Sequence, residues 1–330
     1  MLRRSGACLV ILLSAAACSS NPRPAVATSG PPSSSSAAGA TTLTVSEAIA
    51  EVKDFAVSLG SHATDNFVRH SDRITSDNRC YFTGKLQLPE FYSSLRMVRE
   101  DGERCAARSD EHDVFFYSVQ AVASGEEVIT VSLAEASPER VLVVVPHEDF
   151  HNQREARKAP TEVAEAAATL VGFLTASGYA QERFGAESPT ARGLARDADL
   201  FLRKSLIVNQ YYEKVDELYR EYRSGALTTE QTIERKRDLF DELLKSCSAI
   251  APDPVSFNKC PAAMNNAGLA FDRTYTAHYP MLYDLYTLLG SDTTALMSAL
   301  KRVMANWPSM AVTASDLINP QKPSFSPGRN

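Results

Sequence analysis

Residues 147–151 read His-Glu-Asp-Phe-His, an HExxH pattern. On a helix, four residues is just over one turn, so His147 and His151 project from the same face and can share one small cation. Imidazole nitrogen suits Zn2+. Helical geometry rotates Glu148 by about 100° from His147, beside a bound metal rather than on it. A carboxylate in that position can take a proton from water activated by the metal. A catalytic zinc also needs a third protein ligand and one open position. The downstream run TEVAEAAATLVGFL offers Glu165, fourteen residues after His151 and flanked by Ala164, Ala166, Ala167 and Ala168. A carboxylate among small apolar side chains is costly to bury unless a cation or hydrogen bonds compensate. Small neighbours also let two helices come close. Glu165 is therefore the third-ligand candidate, and Glu162, one turn earlier, is the fallback.

These groups need helices to carry them, and the punctuation of the sequence supplies helices. Ser137-Pro138-Glu139 is a helix start, with proline at the first helical position. Pro146 falls inside the run Val141 to His151, so either one helix kinks there, the favoured reading, or a strand ends and a new helix begins at Pro146. Thr161 opens the next helix, over 162 to about 177. Ser188-Pro189 starts a long one with Leu194, Phe201, Ile207, Tyr211 and Leu218 on its apolar side, stopped at Gly225. Thr228 to Gln231 caps another, running to about Ser248. Residues 261–275, 279–289 and 292–306 complete the helical set. Upstream, Thr44-Val45-Ser46-Glu47 is a capping-box pattern for a helix that stops at Gly60. Residues 61–110 are mixed, with a short helix expected from Pro89 to Val98. Val114 to Tyr117 and Val128 to Leu133 are β-rich and read as paired strands either side of Gly125. The expected fold is mainly α (α+β). It has an N-terminal α/β part over 44–136 containing the small β region, a helical region over 137–306 holding the metal, and an irregular tail over 307–330. No internal repeat is visible.

The 330 residues are 44% hydrophobic and 22% charged, with a formal net charge of −6. That composition is globular and excludes collagen-like, coiled-coil and wholly disordered classes. Net negative charge without any basic run argues against nucleic acid as a partner. Arg3 and Arg4, an apolar run from Ala7 to Leu13 and Ser14-Ala15-Ala16-Ala17 read as a secretory signal over 1–17, too short to span a bilayer. Cys18 directly after three alanines resembles the bacterial lipoprotein box. The resemblance implies cleavage before Cys18, diacylation of that residue and attachment to a membrane through its lipid. Ser19, where inner-membrane proteins usually carry Asp, implies by the same resemblance the outer membrane, facing the periplasm. The Ser- and Pro-rich segment 18–43 cannot offset its ordering entropy and should stay a disordered tether. Cys8 leaves with the signal. Cys80, Cys105, Cys247 and Cys260 then remain in an oxidising compartment. Three pairings can be written; sequence proximity favours Cys80–Cys105 and Cys247–Cys260, and the spacings do not fit a zinc knuckle.

HEDFHNQ followed by Glu165-Ala-Ala-Ala-Thr169 resembles the predicted bacterial aminopeptidase family of zinc metallopeptidases, whose pattern is HELAHQ followed closely by NESFATFVE. Asn265-Asn266-Ala267-Gly268-Leu269, then Thr274-Tyr275 and Pro280, is similar to that family's NNA-x-L…TY…P segment. The resemblance spans roughly residues 138 to 305. It implies a zincin-like helical domain of gluzincin type, with His147, His151 and Glu165 on zinc, Glu148 as general base and peptides as substrate, cut in an aminopeptidase-like way. Tyr275, by its place in the TY segment, is the candidate donor to the tetrahedral oxyanion; the alternative is a core tyrosine. His278 competes for that role. Asn265 and Asn266 are expected to bind substrate backbone, brace the zinc helices or cap a helix. Asp149 is expected to point away from the metal. His62, His70 and His112 are expected to be surface or structural residues. A rival reading from another class is a non-catalytic envelope lipoprotein in which the HExxH region is structural or partner-binding.

Overall fold

The computed structural model describes residues 43–122, 125–260, 263–305 and 307. The signal segment, Cys18 with the tether as far as residue 42, and the tail beyond Trp307 lie outside the described residues. The first helix, Val45–Ser58 (α1), begins as expected. The Thr44 hydroxyl accepts from the Glu47 amide, and the Glu47 carboxylate accepts from the Thr44 amide. It ends just before Gly60, whose φ of +104° is easily adopted only by glycine.

Asp77–Gly84 (β1), Arg96–Val98 (β2) and His112–Val119 (β3) form an antiparallel sheet in the order β2-β1-β3. Cys80 lies opposite Val98 on one side and Phe116 on the other. Two sequence expectations are corrected here. The partner of β3 is β1, in the stretch read as mixed, and not 128–133. Ile129 makes only a single parallel bridge to His70, and Thr130 caps a short helix, Val131–Ala134 (α3). The expected helix over 89–98 is a 3₁₀ turn, Tyr92–Ser94, followed by β2. The physical reason is that β1 is buried on both faces, so it lacks the alternation that marks a half-buried strand. Cys80 and Phe82 pack with Cys105 on one side, and Tyr81 packs with Phe115 and Phe271 on the other. Cys105 sits in a short helix, Gly102–Ala106 (α2), and closes the Cys80–Cys105 disulfide; Cys247–Cys260 is the second disulfide. Both are the pairings favoured by sequence proximity.

The remainder is helical, as expected. Ser137 caps Pro138–His151 (α4), which runs unbroken through Pro146. Thr161–Phe184 (α5) continues past the anticipated end near 177. Gly178 lies under the Phe55 ring, where an added Cβ would come within 3.0 Å, and Tyr179 and Ala180 stay buried beyond it. Pro189–Arg223 (α6), Thr229–Ser248 (α7), Asn266–Thr276 (α8), Tyr279–Leu288 (α9) and Thr293–Met304 (α10) follow. The α8 helix starts at its Asn265 cap rather than at Pro261. The α5 helix is the axis of the core. It is long and apolar enough to cross a bilayer, but it is almost wholly buried, and α1, α4, α6, α8, α9 and α10 all pack on it.

The contact between α4 and α5 is unusually close at Gly172. A Cβ there would lie 2.8 Å from the Val143 carbonyl oxygen and 3.3 Å from the His147 Cβ. Helix propensity alone favours alanine over glycine by about 1 kcal/mol. Overpacking at this contact outweighs that gain, so Gly172→Ala is expected to lower unfolding stability by about 1–3 kcal/mol in denaturant titration. Equal or greater stability would contradict the close approach.

Candidate metal centre

The last turn of α4 carries His147 and His151, and the second turn of α5 brings Glu165 to meet them. His147 Nε2 lies 3.3 Å from Glu165 Oε2, His151 Nε2 lies 3.1 Å from the same oxygen, and the two Nε2 atoms are 3.3 Å apart. Four tetrahedral ligands at 2.0–2.1 Å from zinc are separated by about 3.3–3.4 Å from one another, so this near-equilateral triangle matches one face of such a tetrahedron. The donor set, two imidazoles and a carboxylate, suits zinc. The four side chains His147, Glu148, His151 and Glu165 keep 11–17% exposure, enough for a small ion and water to reach them. The fallback Glu162 is not part of the group. Cys80, Glu100 and Cys105 also lie close together, but the cysteines form a disulfide and Glu100 pairs with Arg108.

Outer contacts hold the triangle in place. Glu165 uses only Oε2 toward the histidines, because Oε1 accepts a hydrogen bond of 2.9 Å from the Tyr92 hydroxyl. Tyr92 is held in turn, its amide donating to Thr274 Oγ1 at 2.8 Å. The Thr169 hydroxyl donates to the Glu165 carbonyl at 2.7 Å and lies 3.5 Å from His147 Nδ1, the side that leaves Nε2 for a metal. Asp149 points away from the His147, His151 and Glu165 triangle, and it is buried: its carboxylate accepts from Thr64 and Asn66, with Lys53 at 3.8 Å. Gln153, one turn on, bonds the backbone of His62 through both amide atoms. These two side chains pin the rear of the α4 end to residues 62–66 while the histidines face forward. Sequence reasoning missed Tyr92, Thr169 and Thr274 in these roles. Of the three, only Thr169 and Thr274 stand within motifs.

Electrostatics follow from the crowding. In the absence of metal, burial pushes the His151 pKa down and Glu165 pulls it up by more, to about 9. Burial raises the Glu165 carboxyl, but His151 and His147 outweigh it and hold it far below the usual carboxylate range. Burial raises Glu148. Burial and the neighbouring carboxylates keep the Tyr275 phenol firmly protonated. Tyr275 stacks beside His147 with ring centroids 6.3 Å apart, and its hydroxyl has no hydrogen-bond partner among the described residues.

The triangle opens on a cleft of about 730 Å³. One wall is an aromatic cluster from the sheet and α8, with Phe271 at its centre, 4.4 Å from the Phe115 centroid and 5.4 Å from that of Tyr275. Tyr275 lines this cleft, and Asn266 and His278 do not. Asn266 is fully buried, donating to the Lys85 and Gln87 carbonyls and accepting from Tyr219, so it braces the 85–87 turn against α8. Asn265 caps α8 through Gly268 and bonds the Val114 carbonyl of β3. His278 sits at the start of α9 against Trp307, outside the cleft lining. His62 and His70 are exposed, and His112 packs edge-on against Phe82. No protein-family model, curated protein or solved structure matches the chain.

Two measurements check the centre. A metal must displace the proton that His151 carries below about 9. The apparent zinc dissociation constant is therefore expected to fall about tenfold per pH unit between 6 and 8, and a flat profile would contradict the pairing. Tyr92→Phe is expected to weaken zinc binding by about 10–100-fold in chelator competition while the fold stays intact.

Proposed function

We propose that this chain is a lipid-anchored, zinc-dependent metallopeptidase of zincin-like type, facing the periplasm from the outer membrane. The observation that carries the reading is the donor triangle of His147, His151 and Glu165, spaced as a tetrahedral face and open to a cleft with Glu148 at its edge. Zinc in such a site supplies Lewis acidity, polarising a carbonyl and acidifying water.

The chain's own residues do the rest. Glu148 Oε1 stands 4.0 Å from His147 Nε2, beside the triangle and not in it. Its raised affinity for protons suits a base that takes one from the attacking water and hands it to the leaving amine. The free, protonated hydroxyl of Tyr275 suits donation to the oxyanion of the tetrahedral intermediate. Tyr92 is a positioning residue, fixing which oxygen of Glu165 faces the histidines. Anchoring through Cys18 would leave the body on a tether of about 25–30 Å reach.

The aminopeptidase-like reading needs an acid free to hold the substrate's α-ammonium. The described acids lining the cleft are Glu148, Glu165 and Asp272, and Asp272 is paired with Lys204 at 3.0 Å. The exposure of the site, with a roomy cleft before it, weighs against a closed structural zinc in a non-catalytic lipoprotein.

Glu148→Gln is expected to retain one zinc per chain and to lower kcat/KM on an unstructured peptide by about 10²–10⁴-fold. Cleavage at the wild-type rate would contradict the mechanism.

A further inference from the structure

The cleft has a charge imbalance that the hydrolytic residues do not explain. Its described cations are Arg79, Arg140, Arg157, Lys204 and Lys259. Arg79 is paired with Asp77, Lys204 with Asp272 and Lys259 with Asp253. Arg157 is exposed and donates to Asn152 at the rim. Arg140 is different. It is half-buried, lines the cleft and has no carboxylate partner among the described residues.

Arg140 is nevertheless held firmly, by neutral acceptors. Its Nε donates to Gln120 Oε1, and its Nη1 donates to the Ser256 carbonyl at 3.2 Å. Both supports are themselves fixed. Gln120 donates to the Ser132 carbonyl, while the amide and hydroxyl of buried Ser256 both donate to buried Asp197. Nη2 has no bond among the described residues. A half-buried guanidinium without an anion is costly, and its planar fork matches a carboxylate. Its position is set by the same helix that carries the histidines. Arg140 precedes His147 by seven residues, two turns of α4, on the same face within about 20° and about 10 Å along the axis.

We infer that Arg140 is a specificity residue that binds a carboxylate of the substrate. An extended peptide advances about 3.3–3.6 Å per residue, so that carboxylate would be carried about two to three residues from the bond that is cut. The inference rests on the metallopeptidase reading and names its substrate class: peptides bearing an anionic group near the scissile bond. Two sources present this chemistry, a free C-terminal α-carboxylate and an internal Asp or Glu side chain.

The test uses zinc-loaded Glu148→Gln protein for binding and zinc-loaded wild type for turnover, at 0.15 M salt. The probes are matched short peptides with a free-acid or an amidated C-terminus, and with Glu or Gln within three residues of the cut. The expected result is at least about tenfold tighter binding and higher kcat/KM for the carboxylate member of one pair. Which pair responds identifies the source. Arg140→Gln should collapse that difference with zinc content unchanged, and Arg140→Lys should restore part of it. Equal binding and turnover of acidic and neutral peptides, or a preference that survives Arg140→Gln, overturns the inference alone. Failure to bind or cleave any peptide overturns the peptidase reading as well, and this inference with it.

Discussion

Two imidazoles and a carboxylate are forced to within 3.1–3.3 Å of one another at the junction of α4 and α5. Such crowding of polar, mostly buried groups is unfavourable unless a positive charge sits among them. Without metal that charge is the proton that Glu165 retains on His151. A divalent ion would satisfy all three donors at once. Much of the surrounding architecture serves to keep this convergence from relaxing. Gly172 lets the helices touch, Asp149 and Gln153 fix α4 from behind, and Tyr92 fixes Glu165 from the side.

The small sheet looks peripheral until its contacts are followed. The β1 and β3 strands give Tyr81, Phe115 and Tyr117 to the aromatic wall, and the turn before β2 gives Tyr92. The α8 helix meets that wall with Phe271 and Tyr275, and Thr274 on the same helix accepts from the Tyr92 amide. Asn265 and Asn266 then lock α8 to β3 and to the 85–87 turn. The N-terminal α/β part is therefore one side of the cleft. The disulfide between Cys80 and Cys105 secures that side from its outer face.

What was legible in the sequence was local. HExxH needs only helical periodicity to bring its histidines together, and the alanines around Glu165 marked a helix built for close packing. Caps at Thr44, Ser137, Ser188 and Thr228 placed helix starts within a residue. What was not legible depended on partners far along the chain. Tyr92 reaches Glu165 across 73 residues, and nothing in its own segment announces the contact. The β1 strand lost its alternation because both faces are covered. Residues 128–133 have strand-like composition, yet Ile129 makes a single bridge to His70 and Thr130 turns the chain into a helix. The roles of Asn265 and Asn266 stayed open because an asparagine motif fits capping, bracing and substrate binding equally well until burial decides among them.

X-ray absorption at the zinc edge of protein loaded with one equivalent of metal tests the central geometry most directly. The result expected is stoichiometric zinc with two imidazole nitrogens and light oxygen ligands at about 2.0–2.1 Å, and a shell that loses one protein ligand in Glu165→Ala. Zinc that washes off the native chain, or a spectrum identical in Glu165→Ala and His151→Ala, would contradict it.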